Sequence, residues 1–178
     1  MEVNMVVIVG KSGSGKTTLA NALVAIGYKK VVTYTTRKPR SGEKNGIHYH
    51  FVTDAEFDKL EREGRFIETA CYAGNRYGSP KDAEGDGIII LEPQGVMSLK
   101  KAKIPFKVIY MEGCPGILEQ RMTKRGDDPE KIKKRLSNDD DPLFDEVKKM
   151  ADVILIQDED TLVIDNIYNC KSVLPPLP

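Results

Sequence analysis

Residues 5–9, Met-Val-Val-Ile-Val, are a continuous apolar and largely β-branched run that stops at Gly10. A strand buried on both faces has this pattern, as in a parallel sheet covered by helices on each side. Beyond a glycine-rich break the period changes. Leu19, Leu23 and Ile26 recur at helical spacing through 16–26 and are expected to share one buried face, and Gly27 supplies a stop. Short apolar runs return at 87–91, 106–111 and 153–156 and predict three more strands. Between the last two, 115–150 is strongly charged and helical. Pro115, Pro129 and Pro142 each fall where a first helical residue is expected, the last two after Asp128 and Asp141. Residues 161–170 predict a final helix, and the tail Leu174-Pro175-Pro176-Leu177-Pro178 cannot continue it. Alternating strands and helices make this an α/β chain with a central parallel sheet flanked by helices.

Residues 33–80 differ in character, with most of the tyrosines, several arginines and many turn residues. Thr53-Asp54-Ala55-Glu56 is a capping box opening a short helix that buries Phe57 and Leu60, and Gly64 ends it. The rest reads as an inserted lobe of short strands.

Composition narrows the function. Lys+Arg and Asp+Glu both number 27, so the net charge is zero and broad nucleic-acid or membrane-surface binding has no support. Cys71, Cys114 and Cys170 form no CxxC pair, and with His48 and His50 the only histidines a zinc site is not expected. Reduced thiols, an N-terminus without a basic leader and apolar runs too short to span a bilayer set the cytoplasm as the expected location.

The glycine break itself carries chemistry. Gly10-Lys11-Ser12-Gly13-Ser14-Gly15-Lys16-Thr17 matches G-x-x-x-x-G-K-[ST] at every fixed position, between a buried strand and an amphipathic helix. Glycines let the backbone curl so that N–H groups face a phosphate chain, and the following helix, opening at Lys16, Thr17 and Thr18, adds its positive end. Lys16 reaches the outer phosphates, and the Thr17 hydroxyl can ligate Mg²⁺. The fold expectation becomes a P-loop NTPase-type sheet, and the ligand a nucleoside triphosphate. The loop alone does not choose among ATPases, GTPases and kinases.

The acceptor side is more specific. Thr33-Tyr34-Thr35-Thr36-Arg37-Lys38-Pro39-Arg40, then Glu43, Gly46, Tyr49 and Phe51, resembles the guanylate kinase pattern T-T-R-x-P-R, E-x-x-G, Y-x-F. Gly64-Arg65-Phe66-Ile67-Glu68 and Gly74-Asn75-Arg76-Tyr77-Gly78-Ser79 resemble that family's G-x-F-x-E and G-N-x-Y-G-S/T. The resemblance runs from about residue 6 to residue 168. It implies that Arg37, Arg40, Tyr49 and Tyr77 hold the phosphate of GMP, that Thr33, Glu68 and Ser79 read the guanine edge, and that Glu92 lies near the same site. The chemistry agrees: arginine forks match phosphate, and a carboxylate suits the paired N1–H and N2–H₂ donors of guanine that adenine lacks. His48 and His50 flank Tyr49 and are expected on the opposite strand face.

Arg121-Met122-Thr123-Lys124-Arg125-Gly126 and Arg135 resemble the family's lid, R-x-x-x-R-G followed by K-R-L. The stretch from Arg125 to Arg135 is shorter than the family's by one residue. Arg121 and Arg125 are four apart and share a helix face. The family's acidic pair D-x-D keeps only its second member here, Glu92; Ile90 stands in place of the first. The resemblance thus implies Mg²⁺-dependent transfer of the ATP γ-phosphoryl group to GMP, with Lys16, Arg121, Arg125 and Arg135 as the catalytic cations. The expected organisation is one unit: a core of 1–32, 80–114 and 140–178, a GMP-binding lobe of 33–79 and a helical lid of 115–139. Two other readings fit part of the pattern. One is a P-loop kinase for another monophosphate or a ribose phosphate, which would not need Glu68 and Ser79 together; the other is a non-catalytic module of the same fold. No nucleic-acid or membrane partner is expected, and the sequence leaves the oligomeric state open.

Overall fold

The chain is described by a computed structural model over residues 4–83, 86–158 and 163–177. In chain order it forms β1 (Asn4–Gly10), α1 (Lys16–Ala25), β2 (Tyr34–Thr35), β3 (His50–Phe51), α2 (Asp54–Arg62), β4 (Phe66–Tyr72), β5 (Asn75–Pro80), β6 (Asp86–Ile90), α3 (Pro93–Lys101), β7 (Lys107–Gly113), α4 (Pro115–Lys124), α5 (Pro129–Asn138), α6 (Leu143–Lys149), β8 (Val153–Gln157) and α7 (Val163–Cys170).

The apolar runs assemble as one parallel sheet in the order β6-β1-β7-β8. β1 lies inside it, and alternation sends its side chains to two cores. Met5, Val7 and Val9 pack with Ile89, Val96, Leu99, Phe144 and Val147 on the side of α3 and α6. Val6 and Ile8 pack with Leu19, Leu23, Ile88, Ile109 and Cys170 on the side of α1 and α7. That double burial is why the run reads as unbroken apolar rather than alternating.

The second sheet, β3-β2-β5-β4, lies within 34–80. β5 pairs antiparallel with β2 and β4, and β2 runs parallel to β3. β4 and β5, at seven and six residues, are longer than the short strands expected. The capping box of α2 is formed: Thr53 Oγ1 accepts from Glu56 N at 3.3 Å, and the Glu56 carboxylate accepts from Thr53 N at 2.7 Å. Phe57 is buried, Leu60 only half so, and Gly64 takes φ 64° just past the helix. Ile67 and Tyr72 of β4 pack onto the α3 side of the main core, so the two sheets share it.

Several sequence expectations are corrected. α1 ends at Ala25, and Ile26, already off the helical path, is 45% exposed instead of continuing the Leu19–Leu23 face. Pro115 and Pro129 open their helices, but α6 starts at Leu143; Pro142 sits one position earlier, while Asp141 Oδ1 accepts from Leu143 N at 2.9 Å. β8, the last strand of the sheet, is buried on one face only: Leu155 and Gln157 are covered, while Ile154 and Ile156 on the other face are 43% and 67% exposed. The start predicted for the last helix, residues 161–162, lies outside the described residues. The sequence reading had no counterpart for α3, whose first turn contains Pro93 and Gly95.

Candidate active site

The glycine loop joins the C-terminal end of β1 to the N-terminus of α1, where ligands bind in open parallel sheets. Gly10 cannot carry a side chain: a Cβ there would lie 2.2 Å from Met111 O. Gly13 and Gly15 take φ 81° and 92°, and a Cβ on Gly13 would meet Leu118 O of α4 at 2.7 Å. Lys16 Nζ turns back along the loop and donates to Gly10 O at 2.5 Å and Lys11 O at 3.0 Å. Burial lowers its pKa, while the carboxylates of Glu92 and Asp139 pull the other way. Ser14 Oγ is buried and has no partner in the protein, and Thr17 and Thr18 are exposed on the first turn of α1.

Across from the loop, a pocket is lined by Thr33, Tyr49, Glu68, Tyr77, Ile90, Glu92 and Gly95. β4–β5 pairing sets Glu68 opposite Ser79, whose hydroxyl donates to Glu68 Oε1. The other oxygen, Glu68 Oε2, is buried without a partner in the protein. A Cβ on Gly95 would lie 2.8 Å from that oxygen, so a glycine in α3 keeps the space beside it. Burial pushes the Glu68 carboxyl up to about 6, against the hydrogen bond from Ser79. Glu92 stands at the N-cap of α3 and spends no side-chain hydrogen bond on the cap. It lines the pocket, and burial raises its pKa against the opposing charge of Lys16.

The acceptor arginines are placed by neighbours within the same motif. Thr35 Oγ1 accepts from Arg37 N at 3.1 Å. Arg37 forms a two-pronged pair with Glu43, both contacts at 2.9 Å, and lies 5.2 Å from the Tyr49 ring centroid. Glu43 Oε2 also accepts from Arg40 N at 2.7 Å, so this carboxylate sets both arginines. Tyr49 and Tyr77 stand edge to face at 6.2 Å. Arg40 Nε is buried without a partner in the protein. Burial and the guanidinium groups of Arg37, Arg135 and Arg125 push the Arg40 pKa down to about 10. Like charges gathered with an unpaired donor at their centre form a site for an anion.

On the helical pair, Asp127 accepts from Arg125 Nε at 3.0 Å and from Arg135 Nη1 at 3.0 Å, so one carboxylate gathers both. The shortened α4–α5 connection therefore still brings Arg135 to the cluster. Arg121 is not brought there: its Nη2 donates to the Asp158 carbonyl at 2.9 Å. His50 stacks on Tyr34 at 4.5 Å and His48 Nδ1 accepts from Lys44 N at 3.0 Å, both structural, which also gives the bulky Tyr34 its place.

A model of the guanylate kinase family matches residues 2–168. The chain belongs to the guanylate kinase family. It is 37% identical over 142 residues to a guanylate kinase of Schizosaccharomyces pombe, covering 73% of this chain and 70% of that one. It is 34% identical over 182 residues to a guanylate kinase of Desulfitobacterium hafniense, covering 96% and 88%. In fold it is similar to the crystal structure of guanylate kinase from Anaplasma phagocytophilum, at TM-score 0.73 and 23% identity over 96% of this chain and 84% of that one.

Against the guanylate kinase pattern, two features stand out. Ile90 in place of the first acid is half-buried, packs on the α1 side of the core and also lines the pocket. The donor set beside the loop is hard oxygen, namely the exposed Thr17 hydroxyl with the Glu92 carboxylate acting on Lys16. Such a set fits Mg²⁺ held mainly by phosphate and water, and among the described residues no group of three or more His, Cys, Asp or Glu could cage a metal. Glu43, Gly95, Asp127, Asp139 and Tyr72 were assigned no role from sequence. Glu43 alone stood inside a recognised motif; the others contribute through contacts that spacing does not reveal.

Proposed function

We propose that this chain transfers the γ-phosphoryl group of ATP to GMP in the presence of Mg²⁺, giving ADP and GDP. The observation that carries the reading is the Glu68 carboxylate, buried with one oxygen held by Ser79 and the other unpartnered in a pocket beside the phosphate loop. A buried acceptor of that kind suits the N1–H and N2–H₂ edge of guanine; the Thr33 hydroxyl is available to donate to guanine O6, and Ser79 can do so only by turning its proton away from Glu68. Tyr49, Tyr77, Arg37 and Arg40 would bind the GMP phosphate, and residues 10–18 the triphosphate.

The acceptor oxygen is already ionised near neutral pH, since a phosphate monoester has its second pKa near ~6, so no general base is required. Alignment and charge neutralisation carry the rate. Lys16 meets the outer phosphates of the donor. Arg40, Arg125 and Arg135, close enough for their charges to act on one another, would meet the phosphoryl group in transfer; Arg121 would join them only by leaving the Asp158 carbonyl. Thr17, together with phosphate oxygens and water, would hold Mg²⁺, which when bound would supply further neutralisation of charge. Residues 33–79 and 115–139 act as acceptor lobe and lid on a core of 1–32, 80–114 and 140–178, and their closure keeps water from the γ-phosphate. Among the described residues no helix is long and apolar enough to cross a membrane, and the unpaired cysteines support a cytoplasmic site of action.

An ADP-release assay with ATP and Mg²⁺ against a panel of monophosphates tests this directly. Turnover with GMP and not with AMP, CMP, UMP or ribose phosphates is expected; turnover with AMP or a sugar phosphate in its place would refute the acceptor assignment.

A further inference from the structure

One buried carboxylate ties the phosphate loop to both other parts of the chain. Asp139 caps the C-terminal end of α5 and is 2% exposed. Its Oδ2 accepts the backbone N–H of Ser12 at 2.8 Å. Its Oδ1 accepts the hydroxyl of Tyr72 from β4, and that hydroxyl also lies 3.1 Å from Ser12 Oγ. The partners are 127 and 67 residues away in the sequence. The loop lysine, meanwhile, is turned onto the loop's own carbonyls at Gly10 and Lys11, with the charge of Asp139 acting on it.

A loop shaped to offer N–H donors to an anion thus has one of those donors on an anion that belongs to the protein. A carboxylate is the side-chain group nearest to one edge of a phosphate: two oxygens, one shared negative charge, the same donors. Carboxylate and phosphate cannot both hold the Ser12 N–H, and two anions side by side in a buried cleft repel strongly. We propose that Asp139 is an internal competitor for the donor phosphate, engaging the phosphate loop until the terminal phosphate of a nucleoside triphosphate displaces it. Because the same carboxylate holds Tyr72 and the end of α5, displacement also frees the acceptor lobe and the lid from the loop. Donor binding is thereby coupled to movement of both. The inference rests on the loop being the donor site.

Two variants read together separate this role from plain repulsion by a buried aspartate. Removing the charge of any carboxylate beside the loop relieves repulsion and tightens metal-free polyphosphate, whether that carboxylate is a strut, a support for Mg²⁺ or a competitor. Only a competitor held on the loop with the help of Tyr72 also gives way when Tyr72 is lost and the charge stays, so that metal-free affinity rises in both variants. Calorimetric titration of the whole chain with inorganic tripolyphosphate in excess EDTA reads the sign in each. Asp139→Asn keeps the shape and an oxygen for the Ser12 N–H but removes the charge, and about tenfold tighter binding is expected. Tyr72→Phe keeps the charge but removes one of its donors, and a smaller gain of roughly threefold is expected. Lys16→Ala should bind far more weakly. Equal or weaker binding by folded Asp139→Asn, or a gain there with none in Tyr72→Phe, overturns the proposal; if Asp139→Asn does not fold, Tyr72→Phe decides by the same sign. Should the unaltered chain bind tripolyphosphate no better than Lys16→Ala does, the donor-site reading falls too. Should Lys16→Ala lose binding while neither other variant gains, only the competitor role fails.

Discussion

The two halves of the site hold their polar groups in opposite ways. In the acceptor pocket, Glu68 Oε2 and Arg40 Nε are buried with no partner in the protein. In the phosphate loop, Lys16 Nζ and Ser12 N–H are occupied by the chain's own carbonyls and by Asp139, and Ser14 Oγ is the unpartnered buried group there. On the acceptor side, β4–β5 register fixes Glu68 against Ser79, and in the turn that follows β2 Glu43 fixes Arg37 and the Arg40 backbone. Such a scaffold can hold a polar atom unsatisfied, because the atom cannot rotate to a substitute partner. A glycine-rich loop has no such restraint, and its donors find internal acceptors. The acceptor side is preorganised, with a cost borne by the fold; the donor side must exchange internal contacts for a ligand.

The largest effect should come from the donor side. Replacing Lys16 with alanine removes the cation that turns back along the loop, and a loss of about 10³-fold or more in kcat is expected with the melting temperature nearly unchanged. The lysine contacts only loop carbonyls in the protein, so folding has little to lose. Turnover like that of the unaltered chain would remove the loop from the chemistry.

The acceptor side should lose next most, and in a different quantity. In Glu68→Gln an amide N–H₂ takes the place of Oε2 if Ser79 keeps the other end, and donors then face the guanine donors. A fall of roughly 100-fold in kcat/KM for GMP, with ATP binding unaffected, is expected. The same substitution tests the cost of preorganisation. The folded-state value of about 6 lies above the ordinary 4.5, so the folded chain holds this proton more tightly than the unfolded one. The stability it contributes is complete below pH 4.5 and is lost as pH rises through about 6. Glutamine never ionises, so Glu68→Gln should be the more stable protein at pH 7 to 8, by about 2 kcal/mol, with the two converging near pH ~4. Denaturant titrations across that range measure it; a variant equally stable at both ends would show that the ionised carboxylate carries no cost. In activity, the acid limb for GMP should be steeper in the unaltered chain than in the variant, which keeps only the ionisation of the substrate phosphate.

These residues differ in how far sequence reveals them. The phosphate loop, the Thr53–Glu56 box and the apolar runs are local: spacing alone encodes their geometry, and the structure places them within a residue or two of expectation. Glu68 and Ser79 were reached through the family resemblance alone; that they face each other comes from the in-register pairing of β4 and β5. Ile26 failed because periodicity does not state where a helix stops, and α3 was missed because Pro93 and Gly95 weaken a helical pattern whose purpose is to pass close to Glu68. Asp139 and Asp127 looked like ordinary charges of a solvated helical stretch. Their roles come from partners on other elements, and no spacing rule reaches across those contacts.

Asp127 gives the third test, on the element that bridges the two sides. Hydrogen bonding with Arg125 and the nearby charge of Arg135 hold its carboxyl below the usual range. Asp127→Asn keeps one acceptor oxygen but loses the charge that gathers the two arginines. A loss of about tenfold in kcat, with the KM values for ATP and GMP changed less, is expected if it positions Arg125 and Arg135 for the transferring group. Equal weakening of KM and kcat, or a purely thermal effect, would make it a structural cap.

The smallest effect, and the sharpest for the boundary between the halves, belongs to Ile90. It ends β6, lines the acceptor pocket beside Glu92 and packs with Ile8 and Leu19 beneath the donor helix. Ile90→Asp puts a second carboxylate beside Glu92, and the magnesium concentration needed for half-maximal turnover should fall about threefold. The same change replaces half-buried apolar contact with charge, so the melting temperature should fall as well. Together those outcomes would mean that packing on the α1 side is favoured here over a second acid, with Thr17, phosphate and water sufficient for the metal. An unchanged magnesium requirement would show that this position faces only the acceptor, and that the donor half ends at the loop.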